Sequence, residues 1–372
     1  MVRISDILKQ RGPPPEPERQ KKVEGTSPPE GASEKTEEKT SEGIQVTKAM
    51  AEDKGRAEKE MQVLKAMRQM QLDPEESKRI YNRASAFIKE VLSKAQLDAP
   101  IDLKEAHEIV KNIVDRIVLE DKELLLLITS SSEENYLYAH LVNAAILSVI
   151  VGLGLGYNKS KLNELGLGAL LHDVGMAKVM DVANKPGVLD EEEYSKIKEH
   201  PKHGVDILSR VKDINQAIIY IVKQEHERYD GTGYPEGLED DQINKYAQIV
   251  AVVDVFEALT HARPHRKAVE SNEAIKELLT ISSGGAFEAL IIKTLINKVG
   301  LYPVGSWVEL NTGEIAKVGS SNENSPLRPQ VNIIFDADKE KLPQIKSIDL
   351  LRHTTIFIKR SLNPKDLNLK LE

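Results

Sequence analysis

His172 and Asp173 are adjacent, and some fifty residues later comes the run Glu225-His226-Glu227-Arg228-Tyr229-Asp230-Gly231-Thr232-Gly233-Tyr234-Pro235. A neighbouring His-Asp pair offers one imidazole and one carboxylate to a shared centre, and the later His, carboxylates and Gly-rich turn add ligands beside a tight bend. Together they have the chemistry of a metallohydrolase. Alone, a His-Asp dipeptide carries little, because a histidine on an apolar helix is commonly a satisfied core residue. This pair has company: seven of the nine histidines (His140, His172, His200, His203, His226, His261 and His265) fall between residues 140 and 265. His140, His172, His200, His226 and Asp254 are separated by 32, 28, 26 and 28 residues. Each interval suits one helix and its connection, so the pattern predicts a bundle whose helices each turn one ligand into a common cavity. There is no cysteine, so any metal must be held by imidazole and carboxylate.

The run from His140 to Phe287 resembles the HD-GYP domain, the branch of the HD phosphohydrolases that hydrolyses the bacterial messenger cyclic di-GMP. The resemblance covers roughly residues 131–300 and rests on LLHDVG, KPGVLDEEE, KEHPKHG, HERYDGTGYPEGL and DVFEALTHARPHR, in family order. It implies a metal-dependent phosphodiesterase of cyclic di-GMP with two divalent metal ions, Fe or Mn. Phosphodiester hydrolysis needs a strong nucleophile and stabilised phosphoryl oxygens, which two ions about 3.5–4 Å apart supply together. By resemblance Asp173 is the bridging ligand and, with His172, the catalytic pair. His172 and Asp254 join His140 or its equivalent on one metal, and His200 with His226 serves the other. Arg263 and Arg266 match family positions that face the substrate phosphate or guanine, where the planar guanidinium fork grips phosphate in bidentate fashion. His203 and His265 are assigned surface or substrate-rim roles. Asp230, Gly231, Gly233, Tyr234 and Pro235 form the GYP turn, which shapes the site and is a candidate docking surface for protein partners.

Two positions depart from the family pattern. Glu225 stands where members usually have a second histidine, and Met176 stands where they have lysine. A carboxylate at 225 still suits a hard metal. A thioether at 176 removes a phosphate-stabilising charge, for which Lys178 substitutes if the chain turns correctly. Tyr136 occupies the position from which some members supply a Glu to a third metal, so two ions are expected. The departures leave open a second reading, a catalytically degenerate domain that binds nucleotide or partner proteins, and a third, hydrolysis of a different cyclic dinucleotide.

Four segments are expected: a mostly disordered segment and linker over 1–72, a helical module over 73–130, the catalytic region over 131–300 and a small β-rich domain over 301–372. The fold class is mainly α: an HD-type helical bundle with a helical N-terminal module and a C-terminal β domain. From Arg11 to about Asp53 the chain is rich in Pro, Glu, Lys, Ser, Thr and Gly, with no aromatic residue before Tyr81, so it buries too little apolar area to offset its ordering entropy. The short peptide before it, Met1 to Lys9, is a candidate tethered docking segment. Asp73-Pro74-Glu75-Glu76 predicts a capping box opening a helix with Ile80, Ala84, Phe87 and Val91 inside. Asp102 opens a second, with Ala106, Ile109, Ile113 and Ile117 inside; His107 is read as a surface residue.

Ser131 with Glu134 predicts the cap of the helix bearing His140, and a helix over about Lys161 to His172 delivers the His-Asp pair, with Gly175 breaking the turn. Asp190 with Glu193 caps the helix carrying His200, which Pro201 ends. Helices over Ile214 to Glu225 and Ile243 to Ala262 bring His226 and Asp254. After Tyr302, Trp307–Leu310, Glu314–Val318, Val331–Phe335 and Thr355–Ile358 read as strands.

With 372 residues, 40% hydrophobic and 30% charged, the chain can bury a sizeable core. A net charge of −8 argues against a nucleic-acid footprint. Met1 to Gly12 lacks the apolar core of a signal peptide, and the run Leu141 to Gly156 is read as too short and too interrupted to span a bilayer. The expectation is a cytoplasmic protein with no membrane span.

Overall fold

The computed structural model describes residues 72–129, 136–183, 185, 187, 189–261, 269–322 and 324–362. The expected linker, the docking peptide and the Ser131/Glu134 cap lie outside them. From Leu72 onward the chain is one compact unit, mainly helical, with a five-stranded sheet at its C-terminal end.

Helix α1 (Pro74–Gln96) starts where Asp73 and Pro74 predict, and the Asp73 side chain accepts from the backbone NH of Glu75 at 3.0 Å. The capping box does not form. Glu76 turns outward to hold Arg79, which also reaches Asp73 at 3.0 Å, so an exposed ion pair competes successfully for that carboxylate. The predicted apolar stripes of α1 and of α2 (Lys104–Val118) are buried, and α3 (Lys122–Thr129) follows.

Helix α4 (Tyr136–Gly154) is the centre of the unit. It is apolar on nearly every face and buried from Leu141 through Gly152, because α5 (Lys159–Leu171), α10 (Lys245–Thr260), α12 (Ala289–Val299), α1 and α2 all pack on it. By length and composition it could cross a bilayer, longer than the sequence run suggested. Its burial within the unit makes it a core helix.

Beyond α5 come a 3₁₀ turn at Val174–Lys178, α6 (Met180–Ala183), α7 (Glu191–Ile197), α8 (His200–Leu208) and α9 (Gln216–Gln224). Asp190 and Glu193 form the predicted capping box, but on α7, which ends before His200. Pro201 opens α8 instead of ending its predecessor: at the first helical turn its missing NH costs nothing. Gly175 does not break a helix either, because its role is proximity. A Cβ there would lie 1.9 Å from the His200 carbonyl oxygen and 2.5 Å from the Gly204 nitrogen, so only glycine lets the turn after Asp173 lie against the start of α8.

Helix α11 (Ser271–Ser283) completes the helical part. Strands β1 (Trp307–Leu310), β2 (Ile315–Ser320), β3 (Gln330–Phe335), β4 (Lys341–Asp349) and β5 (Ile358–Leu362) form an antiparallel sheet in the order β4-β3-β2-β1-β5. Val308, Leu310, Val318, Val331, Ile333 and Ile348 make its core. Strand β4 was not legible in the sequence. It is an edge strand, mostly exposed and containing Pro343, so it lacks the apolar alternation that marked the others. The last strand runs over Ile358–Leu362, C-terminal to the expected Thr355–Ile358.

Candidate metal centre

Five structural elements bring their ligands to one place. His140 sits one turn into α4, His172 caps the C-terminus of α5 with Asp173 beside it, His200 opens α8, Glu225 caps the end of α9 with His226 following, and Asp254 lies on α10. They form two groups, Asp173 with His200, Glu225 and His226, and His140 with His172 and Asp254; within each group the potential ligand atoms lie within 4.8 Å of one another. Asp173 faces both. Its Oδ1 is 3.1 Å from His200 Nε2, while its Oδ2 is 3.9 Å from His140 Nε2 and 3.8 Å from His172 Nε2. In addition, His140 Nε2 lies 3.2 Å from Asp254 Oδ1, and His226 Nε2 lies 3.0 Å from His200 Nε2.

The ring orientations are set from behind. His172 Nδ1 donates to the Ala169 carbonyl and His200 Nδ1 to the Ile197 carbonyl, each at 2.7 Å, and His140 Nδ1 meets the Glu257 carboxylate. With Nδ1 holding the proton, Nε2 is the atom turned inward, the arrangement expected of metal-ligating imidazoles. His172 Nε2 and both oxygens of Glu225 are buried without a hydrogen-bond partner. A fully buried carboxylate left in that state is costly unless a cation compensates it, and this donor set of imidazole nitrogens and carboxylate oxygens fits a divalent transition metal.

Burial pushes the Glu225 carboxyl up to about 7 despite the nearby His172 charge. For His200, burial works against protonation, but the hydrogen bond to Asp173 and the negative charge of Glu225, 3.7 Å away, outweigh it and raise the imidazole to about 10. His226 is pushed down to about 3 by burial and then by the His200 charge. Burial opposes ionisation of Asp173 and Asp254 too, yet the facing imidazoles hold both below the ordinary carboxylate range.

Several supporting residues were missed in the sequence. Glu257 takes a hydrogen bond from Asn143 Nδ2 at 2.9 Å as well as meeting His140. Both lie three residues after a ligand on the same helix, a spacing that could have flagged them. Glu227 is buried and its two oxygens accept from the backbone of Glu236 (2.7 Å) and Leu238 (3.0 Å), clamping the Gly-rich turn. Within that turn a Cβ on Gly233 would lie 2.3 Å from the Arg228 nitrogen, so the chain doubles back on itself. The turn brings the Tyr234 ring onto His226, stacked with centroids 4.8 Å apart.

Other predicted residues lie elsewhere. Met176 is buried in an apolar cluster with Val179, Ala183 and Ile197. Lys178 does not replace the missing charge, because its ammonium is paired with Asp98 at 2.8 Å. His203 faces Glu199 at 3.8 Å, and His261 bonds the Ile128 carbonyl at 2.8 Å. Arg263, His265 and Arg266 lie outside the described residues. Two cations that the sequence reading passed over stand near the centre and make no ion pair among the described residues. Lys198 Nζ lies 4.6 Å from the Tyr194 ring centroid and 5.3 Å from that of Tyr234, and the half-buried Arg228 guanidinium lies 4.9 Å from that of Phe287.

Comparison with known proteins agrees with this architecture. Residues 126–283 match the HD domain family, and residues 307–370 match the KOW domain associated with HD domain. Residues 126–283 are an HD domain. The chain is 32% identical over 273 residues to the cyclic di-GMP phosphodiesterase PA4108 of Pseudomonas aeruginosa, covering 73% of this chain and 65% of that protein. It is 31% identical over 240 residues to the cyclic di-GMP phosphodiesterase PdeB of Borreliella burgdorferi, covering 63% and 62%. A further relative, at 30% identity over 199 residues, is the 3'3'-cGAMP-specific phosphodiesterase 2 of Vibrio cholerae, with 53% and 35% covered. The chain thus spans less than two thirds of these relatives' length. Among solved structures, Bd1817, an HDG"Y"P protein from Bdellovibrio bacteriovorus, superposes with a TM-score of 0.50 at 21% identity over 60% of this chain and 72% of that one. This last likeness is one of fold alone.

Proposed function

We propose that this chain is a metal-dependent phosphodiesterase of cyclic dinucleotides, with cyclic di-GMP as its substrate. The observation that carries the reading is Asp173, whose two oxygens face two separate imidazole and carboxylate groups. The names of the relatives from Pseudomonas and Borreliella support the choice of substrate, and the Vibrio relative makes cyclic GMP-AMP the first competitor to try.

In this reading His140, His172 and Asp254 would hold one divalent ion and His200, Glu225 and His226 the other, with Asp173 in reach of both groups; Fe or Mn suits the donors. When bound, such ions supply Lewis acidity to phosphoryl oxygens and a water nucleophile active at neutral pH. The chain's own part is to orient and to compensate charge. Backbone carbonyls and Glu257 hold the imidazoles in one tautomer. Lys198 and Arg228 are assigned to the substrate phosphates, where Met176 offers no charge, and the family resemblance adds Arg263 and Arg266 to that role. The Tyr234 ring covers His226 and limits water on that side.

The test is turnover of cyclic di-GMP and of 3'3'-cGAMP by purified protein loaded anaerobically with Mn or Fe, followed by chromatography. Linear dinucleotide or mononucleotide product from cyclic di-GMP supports the reading. Binding without turnover supports the second reading, a degenerate nucleotide-binding module, which the apolar surroundings of Met176 favour.

A further inference from the structure

Helix α1 reaches the His140 group through an unbroken series of hydrogen bonds. Tyr81, buried on α1, donates its hydroxyl to Asn143 Oδ1 at 2.9 Å. Asn143, one turn beyond His140 on α4, donates Nδ2 to Glu257 Oε1 at 2.9 Å. The second oxygen of Glu257 meets His140 Nδ1, and His140 Nε2 lies 3.2 Å from Asp254. Chemistry fixes the direction of each bond. The Asn143 amide turns its nitrogen to the Glu257 carboxyl oxygen, which accepts, and its oxygen to the phenol, which donates. All four side chains are buried, where such bonds are strong and rearrangement is costly. The elements joined are α1, α4 and α10, whose contributing residues are more than one hundred positions apart at the extremes.

We infer that Tyr81 is a positioning residue for the metal centre, setting the ring orientation and tautomer of His140 through Asn143 and Glu257; this rests on the metal-binding reading above. Helix α1 is then a working part of the centre. A second contact from the same region agrees. Asp98, just beyond α1, pairs with Lys178 at 2.8 Å and with Arg210 at 2.9 Å. These cations follow Asp173 by five residues and His200 by ten, so the connection after α1 braces both segments that carry the shared carboxylate and its partner.

Tyr81→Phe keeps the ring and removes the hydroxyl, and Ile80→Val on the same helix perturbs packing alone. In the full chain, titration with Mn²⁺ followed by calorimetry is expected to show one of two ions bound about tenfold to hundredfold more weakly in Tyr81→Phe, the other unchanged. Ile80→Val is expected to lower the thermal midpoint while leaving both affinities at the wild-type value. In ¹⁵N-histidine spectra of the metal-free protein, the Nδ1 and Nε2 resonances of His140 are expected to move in Tyr81→Phe alone. Wild-type affinities and an unmoved His140 in Tyr81→Phe, or equal weakening by Ile80→Val, overturn the inference and leave the metal-binding reading intact. A wild-type chain that takes up no Mn²⁺ overturns that reading and the inference with it.

Discussion

A Cβ on Gly175 would stand 1.9 Å from the carbonyl oxygen of His200. The turn that carries Asp173 and the helix that carries His200 are thus in backbone contact, and this contact places Asp173 Oδ1 3.1 Å from His200 Nε2.

Gly175→Ala must force these backbones apart, since neither obstacle is a flexible side chain. The expected cost is about 2–3 kcal/mol of stability, together with loss of at least the ion held by His200. Thermal unfolding and metal analysis check both, and an alanine variant with the wild-type midpoint and full metal content would refute the contact.

Asp173→Ala removes a carboxylate that faces both groups. Metal content is expected to fall from about two ions per chain to none, measured by mass spectrometry of the dialysed protein. Retention of one ion shows that the carboxylate serves a single site.

Metal affinity should rise with pH. His200 is raised to about 10 and Glu225 to about 7 in the metal-free centre, and a cation can bind these atoms only as the protons leave. Between pH 7 and 9 the affinity is expected to gain roughly tenfold per unit as the His200 proton is displaced. Below pH 7, where Glu225 is also protonated, the dependence should steepen. Competition against a chelating dye measures this, and a flat profile excludes His200 and Glu225 as ligands.

Met176→Lys tests whether the family's lysine fits here. Met176 is only 3% exposed, among Val179, Ala183 and Ile197, so an ammonium there loses its hydration. The expected result is destabilisation of about 2–4 kcal/mol with no gain in turnover. Undiminished stability with faster turnover would mean that position 176 faces the substrate after all.

Lys198→Ala addresses where the charge went instead. Its cation sits over Tyr194 and Tyr234 without an ion-pair partner among the described residues, and its removal is expected to raise KM for cyclic di-GMP about tenfold with metal content unchanged. An unaltered KM assigns phosphate binding to other groups.

The side chains that converge in the two groups were legible because residue type and spacing were both unusual: imidazoles and carboxylates recurring once per helix in otherwise apolar segments. Helix starts at Pro74 and Glu191 were legible as well, since caps are local chemistry written in four or five consecutive residues. What tertiary structure alone decided was every relationship between distant segments. Nothing near Tyr81 announces that its hydroxyl points at Asn143, and nothing near Lys178 announces Asp98. Met176 illustrates the reason. The family resemblance put it where members carry a phosphate-stabilising lysine, but the 3₁₀ turn rotates it into an apolar cluster while Gly175 draws the same turn against α8. Local sequence sets which conformations a segment favours. The direction each side chain finally faces is set by how rigid helices pack against one another, and that depends on the whole core at once.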